Sequence, residues 1–357
     1  MRVGVLCSGG DAPGMNPCLR SIVRTACICG MEVYGFRRGY EGLLDEDFCP
    51  TEDGTSLAGM GSVPGLMGMR SIPGRAKDSY EDGIPMMGLR SVSGLSKLGG
   101  TVLRSSRSAR FQTTEGQKQA AKILKKHKFT AMITIGGNGT QKGAIDLATV
   151  WDGQVIGIPG TIDNDLLGTD YTLGFATAVD TAVDAVDKLR DTAGSHDLMF
   201  FVEVMGRHCG DIAIATAIAS GAEVVCIPEV KESPEQIVKK LKNIKKIGKT
   251  SVIAIVAEGV IGGAVEMRRV LEEAGNPFES RAVVLGHVLR GGSPVSADRI
   301  LASELGNFAV SAVVQGESGK LAGKIKNELV LTPLEECVSQ RRSVDAEKLR
   351  LLQIVAS

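Results

Sequence analysis

The sharpest chemical signal in the sequence is a pair of carboxylates separated by one residue. Asp163 and Asp165 lie in PGTIDND, directly after the predicted strand QVIGI. In a phosphoryl-transfer site, one carboxylate can accept the proton of an attacking hydroxyl while the other supports a metal ion. The same spacing also fits a turn rich in Asp and Asn without any catalytic role. The spacing alone leaves both interpretations open.

Two glycine-rich turns are suited to binding phosphate. SGGDAPGMN follows the strand VGVLC, and IGGNGT, residues 135–140, follows TAMITI. Glycine lets the backbone approach a phosphate closely, and the N-terminus of the helix that follows favours an anion. Neither turn matches GxxxxGK[ST] or GxGxxG, so each is a weak signal by itself.

Two further loops, MGRHCGD and GHVLRGGSP, place arginine and histidine in glycine-rich sequence. Their side chains Arg207, His287 and Arg290 can contact a phosphate ester, and each arginine can do so through two hydrogen bonds. A single loop arginine is usually only solvated. Several such loops at one sheet edge favour a binding site.

Short β-branched segments alternate with amphipathic segments along the chain, a pattern that predicts parallel sheets covered by helices on both faces. More than six strands in 357 residues predicts an α/β fold with two doubly wound, Rossmann-like three-layer domains and mainly parallel sheets. Ligands of such sheets bind beyond the carboxyl ends of the strands, which is where the loops above lie.

The composition narrows the function classes. Lys plus Arg equals Asp plus Glu, at 41 each, which argues against a general nucleic-acid or membrane binder. The apolar segments are too short or too interrupted to predict a signal peptide or a membrane span. Eight scattered cysteines without a CxxC pair predict reduced thiols in a cytoplasmic protein rather than a zinc site.

Residues 59–95 stand outside the alternation, because GMGSVPGL, GMRSIPGR and GLRSVSGL are three copies of a degenerate octapeptide. We predict a loop insertion near 57–92 that grew by local duplication. It fits either a flexible surface loop or a lid whose cations meet phosphate. The cations in question are Arg70, Arg75, Lys77 and Arg90.

Together the loops resemble ATP-type bacterial 6-phosphofructokinase from Arg2 to about Leu331, apart from the insertion. The resemblance is carried by GVLCSGGDAPGMN, PGTIDND, GTDYTLGF, VEVMGRHCGD and VLGHVLRGGSPVSADRILA, in the family's order and spacing. It implies transfer of the γ-phosphoryl group of ATP, with Mg²⁺, to the 1-hydroxyl of fructose 6-phosphate. It also implies a nucleotide-binding domain, residues 1–174 plus about 287–337, and a sugar-phosphate-binding domain, about 175–286 plus 338–357.

The resemblance assigns roles to individual positions. Asp163 is the implied general base, with Thr161, Asp165 and Arg207 as the other catalytic residues. The implied ATP-binding residues are Gly10, Tyr40, Arg107, Ser108, Gly137, Asn138, Gly139 and Thr140. The implied sugar-phosphate residues are Thr161, Asp163, Met205, Gly206, Arg207, Glu258, Arg281, His287 and Arg290. The implied metal positions are Asn138, weakened by its amide, and Asp165. The implied effector residues, for ADP or phosphoenolpyruvate, are Arg20, Arg24, Arg190, Glu223 and Lys249.

The resemblance also bears on assembly and donor choice. It implies a cytoplasmic homotetramer in which Arg281 serves the site of a neighbouring chain; a hetero-oligomer with a paralogue is the alternative. In the family, glycine at the positions of Gly139 and Gly160 accompanies ATP, whereas Asp and Lys there accompany pyrophosphate. The resemblance therefore favours ATP as the donor.

Three departures from the family pattern bear on activity. Asn138 replaces a carboxylate associated with Mg²⁺, and Leu198 replaces an arginine that reaches the neighbour's sugar phosphate. Arg104 replaces a small residue on the nucleotide side, where it either crowds ATP or adds charge. Weaker metal binding and weaker fructose 6-phosphate binding are expected.

Three functions therefore stay open. The first is an active ATP-dependent phosphofructokinase with altered kinetics. The second is a catalytically weakened regulatory paralogue that binds nucleotide or sugar phosphate. The third is a kinase that uses pyrophosphate or another sugar phosphate.

Overall fold

The computed structural model describes residues 1–49 and 86–355. Most of the predicted insertion near 57–92, including Arg70, Arg75 and Lys77, lies outside the described residues. Its last octapeptide copy, residues 88–95, is described and forms a turn in which the Ser91 hydroxyl donates to the Gly88 carbonyl at 2.7 Å.

The chain divides into two compact units. Unit 1 consists of Met1–Thr161, Leu166–Gly174 and Gly292–Arg341, and unit 2 of Ile162–Asp165, Phe175–Gly291 and Arg342–Ser357. The predicted nucleotide-binding domain included 162–165, whereas here these residues belong to unit 2. The chain therefore passes from unit 1 to unit 2 inside PGTIDND.

The described residues form strands and helices in close alternation. The strands are β1 (Arg2–Ser8), β2 (Glu32–Phe36), β3 (Phe48–Cys49), β4 (Ala131–Gly136), β5 (Gln154–Pro159), β6 (Met199–Val204), β7 (Val224–Cys226), β8 (Val252–Ala257), β9 (Ser280–Val284), β10 (Lys320–Ile325) and β11 (Glu328–Pro333). The helices are α1 (Met15–Ile28), α2 (Gly39–Leu44), α3 (Thr114–Lys126), α4 (Asn138–Val150), α5 (Phe175–His196), α6 (Asp211–Ser220), α7 (Pro234–Lys246), α8 (Gly263–Glu273), α9 (Ser296–Val314), α10 (Leu334–Ser339) and α11 (Ala346–Val355). Two short 3-10 helices span Leu95–Lys97 and Gly286–Arg290.

Unit 1 contains a seven-stranded sheet in the order β11-β10-β5-β4-β1-β2-β3. Its five central strands are parallel, and the edge strands β3 and β11 are antiparallel to their neighbours. Every residue of β4 is buried, as expected for a strand covered on both faces.

Unit 2 contains a four-stranded sheet in the order β7-β8-β6-β9, in which every pair is parallel. Its core includes Phe201, Ile237, Val256 and Met267. The predicted fold class, α/β with two mainly parallel sheets, is confirmed.

Local sequence explains where several helices begin. The Thr113 hydroxyl caps α3 by accepting from the Gly116 amide at 3.1 Å. Helix α7 begins with a capping box, in which Ser233 and Gln236 each bond the other's backbone, and Pro234 occupies its first turn.

All eight cysteines are free thiols, and six of them are buried. Desolvation raises the pKa of Cys7 and of Cys226 to about 12, so both thiols stay protonated at neutral pH. Within residues 1–49 and 86–355, no helix combines the length and the apolar character needed to cross a bilayer.

Candidate active site

Four loops of unit 1 are tied together beside the ends of β1, β2 and β4: residues 8–11, 37–40, 101–108 and 136–140. The Thr140 hydroxyl donates to the Ser8 carbonyl at 2.8 Å, which joins the first loop to the last. The Ser106 hydroxyl donates to the Arg38 carbonyl at 2.7 Å, which joins the two others. The Ser8 hydroxyl donates to the Ser106 carbonyl at 3.3 Å, which joins the two pairs, so the four loops form one connected structure.

The turn IGGNGT has the geometry of an anion-binding turn. A Cβ on Gly136 would lie 2.5 Å from the Ser8 carbonyl oxygen, so glycine is required for this close approach. Gly139 faces open space, with no atom within 4 Å of a built Cβ. No side chain caps α4, which leaves the first turn of this helix suited to an anion.

Three predicted nucleotide residues are buried, namely Thr140, whose bond to Ser8 is given above, and the pair Tyr40 and Ser108. The Tyr40 ring stacks on Phe111 with centroids 4.1 Å apart, and its hydroxyl donates to the Thr140 carbonyl at 2.8 Å. Burial raises the pKa of the Tyr40 phenol, which therefore stays neutral. The Ser108 hydroxyl donates to Glu41, a bond that lowers the pKa of that carboxyl. Both side chains thus support the loops, and direct contact with a nucleotide stays a prediction.

Gly10 and Arg107, by contrast, are exposed. Their exposure leaves them accessible to a phosphate, in addition to the turn at the start of α4.

Asn138 occupies the first turn of α4. Asn138 as a whole is half-buried. Its Oδ1 atom is buried and has no hydrogen-bond partner among the residues that the structure describes. An unsatisfied amide oxygen of this kind fits a cation or a cation-bound water. No group of three or more His, Cys, Asp or Glu side chains in the described ranges is arranged to hold a metal ion. The unsatisfied Oδ1 of Asn138 is thus the feature of this turn that fits a Mg²⁺ ion.

Arg104 is exposed and adopts a left-handed backbone with φ 56°. This conformation costs an L-residue about 1 kcal/mol or more, whereas glycine adopts it freely. We expect Arg104→Gly to raise the free energy of unfolding by roughly 0.5–1 kcal/mol, because glycine's greater freedom in the unfolded chain offsets part of the gain.

Urea denaturation would measure this change. Lys122→Gly, at an exposed position inside α3, is the matched control and should lower the free energy of unfolding by about 1 kcal/mol. A loss of stability in Arg104→Gly would contradict the assigned strain.

In unit 2, the segment Asp163–Asp165 lies beside the loop that follows β6. Asp163 is half-exposed, whereas Asn164 and Asp165 are buried. The Asn164 amide donates to Asp211 Oδ2 at 2.8 Å, and the Asp165 carbonyl accepts from the Arg342 amide at 3.0 Å. The pair of carboxylates is therefore held on a fixed turn.

The loops after β6 and β8 bring together Met205, Gly206, Arg207 and Glu258. Arg207 Nε lies 3.8 Å from Glu258 Oε1, and the arginine side chain is largely exposed. Gly206 has φ 129°, and a Cβ on it would lie 2.4 Å from the Cys209 carbonyl oxygen. This tight turn presents Arg207 to solvent beside a carboxylate, an arrangement that suits a phosphorylated polyol.

Three further predicted sugar-phosphate residues lie on or after β9. His287 is exposed and Arg290 half-buried, both in the 3-10 helix that follows the strand. Arg281 instead lies near the amino end of β9, paired in register with Phe200, and its guanidinium contacts Glu279 at 2.7 Å. The structure therefore does not bring Arg281 to the edge of the sheet that carries Arg207.

The predicted effector residues are divided between the two units, with three in unit 2 and two in unit 1. In unit 2, the buried Glu223 accepts from Arg190 at 3.2 Å and from Lys249 at 3.3 Å. Arg20 and Arg24 belong to α1 in unit 1, four residues apart and thus on one face.

Two supporting residues were not identified from the sequence. Gln141 is fully buried, and its amide donates to the Gly136 and Ile158 carbonyls at 3.0 Å, which joins the ends of β4 and β5. Asp211 is the other, through its bond to Asn164. An acidic residue after MGRHCG at the start of a predicted helix was an available signal for Asp211.

Comparison with known proteins agrees with these loops. The family model described as phosphofructokinase matches residues 2–313. The ATP-dependent 6-phosphofructokinase 1 of Thermus thermophilus is 42% identical over 356 residues, which is 99% of each chain. The ATP-dependent 6-phosphofructokinase of Clostridioides difficile is 42% identical over 354 residues, again 99% of each.

A solved structure of phosphofructokinase from Saccharomyces cerevisiae is 30% identical, with a TM-score of 0.78. The match covers 95% of this chain and 45% of the yeast chain. The resemblance inferred from the loop motifs is thereby confirmed. The chain belongs to the phosphofructokinase family.

Proposed function

We propose that the protein transfers the γ-phosphoryl group of ATP to the 1-hydroxyl of fructose 6-phosphate and so forms fructose 1,6-bisphosphate, a step of glycolysis. The observation that carries this proposal is the 42% identity, over 99% of the chain, to proteins named ATP-dependent 6-phosphofructokinase. The site loops are consistent with it, since they supply a phosphate turn, a pair of carboxylates and exposed arginines.

In this proposal, unit 2 binds the sugar phosphate and supplies the base. Asp163 accepts the proton of the 1-hydroxyl, which makes that oxygen a better nucleophile. Its half-exposed position leaves the carboxylate accessible to substrate. Met205, Gly206, Arg207, Glu258, His287 and Arg290 bind the sugar phosphate, and Arg207 also stabilises the transferred group.

Unit 1 binds ATP. The N-terminus of α4 and the Gly137–Thr140 turn bind phosphate, together with Gly10 and Arg107, and Thr161 lies near the reacting oxygens. The donor assignment is supported by the resemblance at Gly139 and Gly160, where glycine accompanies ATP. Packing also requires glycine at position 160, because a Cβ there would lie 3.0 Å from both Ile135 Cγ2 and Met15 Cε. A bulkier residue at this position would displace the packing beneath the turn.

When bound with ATP, Mg²⁺ would supply positive charge that neutralises the phosphates. Asn138 and Asp165 are the residues proposed to hold it, directly or through water. Asn138 contributes an oxygen without charge, so most of the binding must come from the nucleotide phosphates.

We further propose a cytoplasmic homotetramer. The position of Arg281, away from the sheet edge that carries Arg207, supports a role in a neighbouring chain's site. In this assembly Arg20, Arg24, Arg190, Glu223 and Lys249 bind the effector. A hetero-oligomer with a paralogue is the alternative, and native mass spectrometry of the protein purified from its source would distinguish the two.

A second candidate function is that of a catalytically weakened regulatory subunit. It is favoured by Asn138, whose amide replaces the expected carboxylate, and by Leu198 at the position of a phosphate-binding arginine. Leu198 and Arg104 also motivate a third candidate, which uses pyrophosphate or another sugar phosphate.

The experiment that tests these proposals measures product formation by the purified protein with each donor and acceptor. We expect fructose 1,6-bisphosphate with MgATP and fructose 6-phosphate, and at least tenfold less product with Mg-pyrophosphate or other sugar phosphates. Higher turnover with another pair would support the third candidate. Thermal stabilisation by ATP or fructose 6-phosphate without turnover would support the second.

A further inference from the structure

We propose that Asp211 is a positioning residue for the catalytic base. It holds Asn164, and through Asn164 it fixes the backbone that carries Asp163 on one side and Asp165 on the other. This inference rests on the proposed function, because it assigns a partner to the proposed base.

The backbone at Asn164 is the first observation. Its φ is 53°, in the left-handed region, and its side chain is fully buried. Asn is among the few residues that adopt this region at low cost, yet the conformation persists only where contacts hold it. A residue in the left-handed region turns the backbone sharply, so the side chains before and after it point in different directions. Here Asp163 remains half-exposed while Asp165 is buried.

A hydrogen bond from Asn164 to Asp211 is the second observation. The Asn164 amide nitrogen donates to Asp211 Oδ2 at 2.8 Å, the length of a good hydrogen bond to a carboxylate. Asp211 is only 4% exposed and lies in the first turn of α6, where the helix N-terminus favours its negative charge. A charged acceptor on a rigid helix is well suited to fix an amide in one orientation.

The energetic consequence follows from burial. Loss of a buried hydrogen bond to a carboxylate is unfavourable, so the turn would rearrange to recover a bond. Movement of a catalytic group by about 1 Å can lower the rate roughly a hundredfold. Loss of Asp211 should therefore affect the chemical step more than substrate binding.

The test begins with Asp211→Ala. We expect kcat to fall about 30- to 100-fold, while KM for MgATP and for fructose 6-phosphate changes less than about threefold. Ser233→Ala is the control for lost stability, because it removes the cap of α7, a helix that carries none of the proposed site residues. It should lower Tm without lowering kcat.

A double variant that combines Asn164→Asp with Asp211→Asn tests whether the exchanged pair restores kcat. Asn164→Asp alone sets two carboxylates against each other and should lower kcat at least as much as Asp211→Ala. The double variant exchanges donor and acceptor and should return kcat to within about fivefold of the parent.

Asp211→Asn, which keeps the shape of the side chain, covers the case in which Asp211→Ala fails to fold. It removes the charge from the acceptor of the Asn164 amide, so kcat should fall in the same direction as in Asp211→Ala but by less.

The inference is overturned if Asp211→Ala keeps kcat within threefold, if Ser233→Ala lowers kcat equally, or if the folded double variant shows no recovery. Asp163→Asn is measured alongside to separate this inference from the proposed function. Activity lost in Asp163→Asn and kept in Asp211→Ala would refute the role of Asp211 alone. Full activity in Asp163→Asn, or no turnover by the parent, would refute the proposed function and this role with it.

Discussion

Asp163→Asn is expected to lower kcat about a thousandfold or more, with KM for both substrates changed only a few-fold. The substitution preserves the size and the hydrogen-bonding shape of the side chain but removes its ability to take a proton. General-base catalysis contributes about 10²–10⁴-fold, and without it the substrate hydroxyl attacks as a poor nucleophile. Initial rates of fructose 1,6-bisphosphate formation across both substrate concentrations would measure the change.

Asp184→Asn is the matched control for that experiment. It makes the same Asp-to-Asn substitution at an exposed position of α5, where Asp184 pairs with Lys188. It should leave kcat unchanged. A loss of less than tenfold in Asp163→Asn would show that another group takes the proton.

Asn138→Asp is expected to lower the Mg²⁺ concentration needed for half-maximal activity by about tenfold or more. The Asn138 Oδ1 is buried without a partner in the described residues, so a carboxylate there would supply charge where an amide supplies only an oxygen. Hard Mg²⁺ prefers anionic oxygen, and altered ligands typically change metal affinity 10- to 100-fold. Rates at fixed ATP across a Mg²⁺ titration would measure it.

Asn243→Asp, at an exposed position on α7, is the control with the same chemical change and should leave the Mg²⁺ dependence unaltered. An identical Mg²⁺ dependence in the parent and in Asn138→Asp would remove Asn138 from the metal site. Activity found only in the variant would favour the regulatory subunit as the function of the natural protein.

Most of the fold could be predicted because central parallel strands are buried on both faces and read as short apolar runs. TAMITI and QVIGI predicted β4 and β5, whose observed bounds, Ala131–Gly136 and Gln154–Pro159, differ by about one residue.

The antiparallel pair β10–β11 was not predicted. Its turn residues, Lys326 and Asn327, have φ 48° and 68°, the left-handed pair typical of a tight hairpin. Asn-Gly usually signals such a turn, but here lysine and asparagine adopt it without glycine. The strand KLAGKI also contains two lysines, which weakens the apolar signal.

The site was predictable to a similar extent. Loops rich in Gly, Asp and Arg were identifiable because their residue types reflect local backbone and charge requirements. The burial of Tyr40 and the bond from Asn164 to Asp211 were not, because they depend on contacts between distant positions. Asn164 and Asp211 are 47 residues apart, and no local pattern specifies such a pair.

The division of unit 1 into three chain segments has a consequence for biosynthesis. Strand β5 ends at Pro159, but its outer neighbour β10 begins only at Lys320, after every strand of unit 2. At translation rates of about 5–20 residues per second, β5 waits roughly 8–30 s for that partner, with one edge unpaired. The nascent chain therefore carries an incomplete sheet while the strands of unit 2 are being synthesised, and chaperone binding during this interval should concentrate on β5.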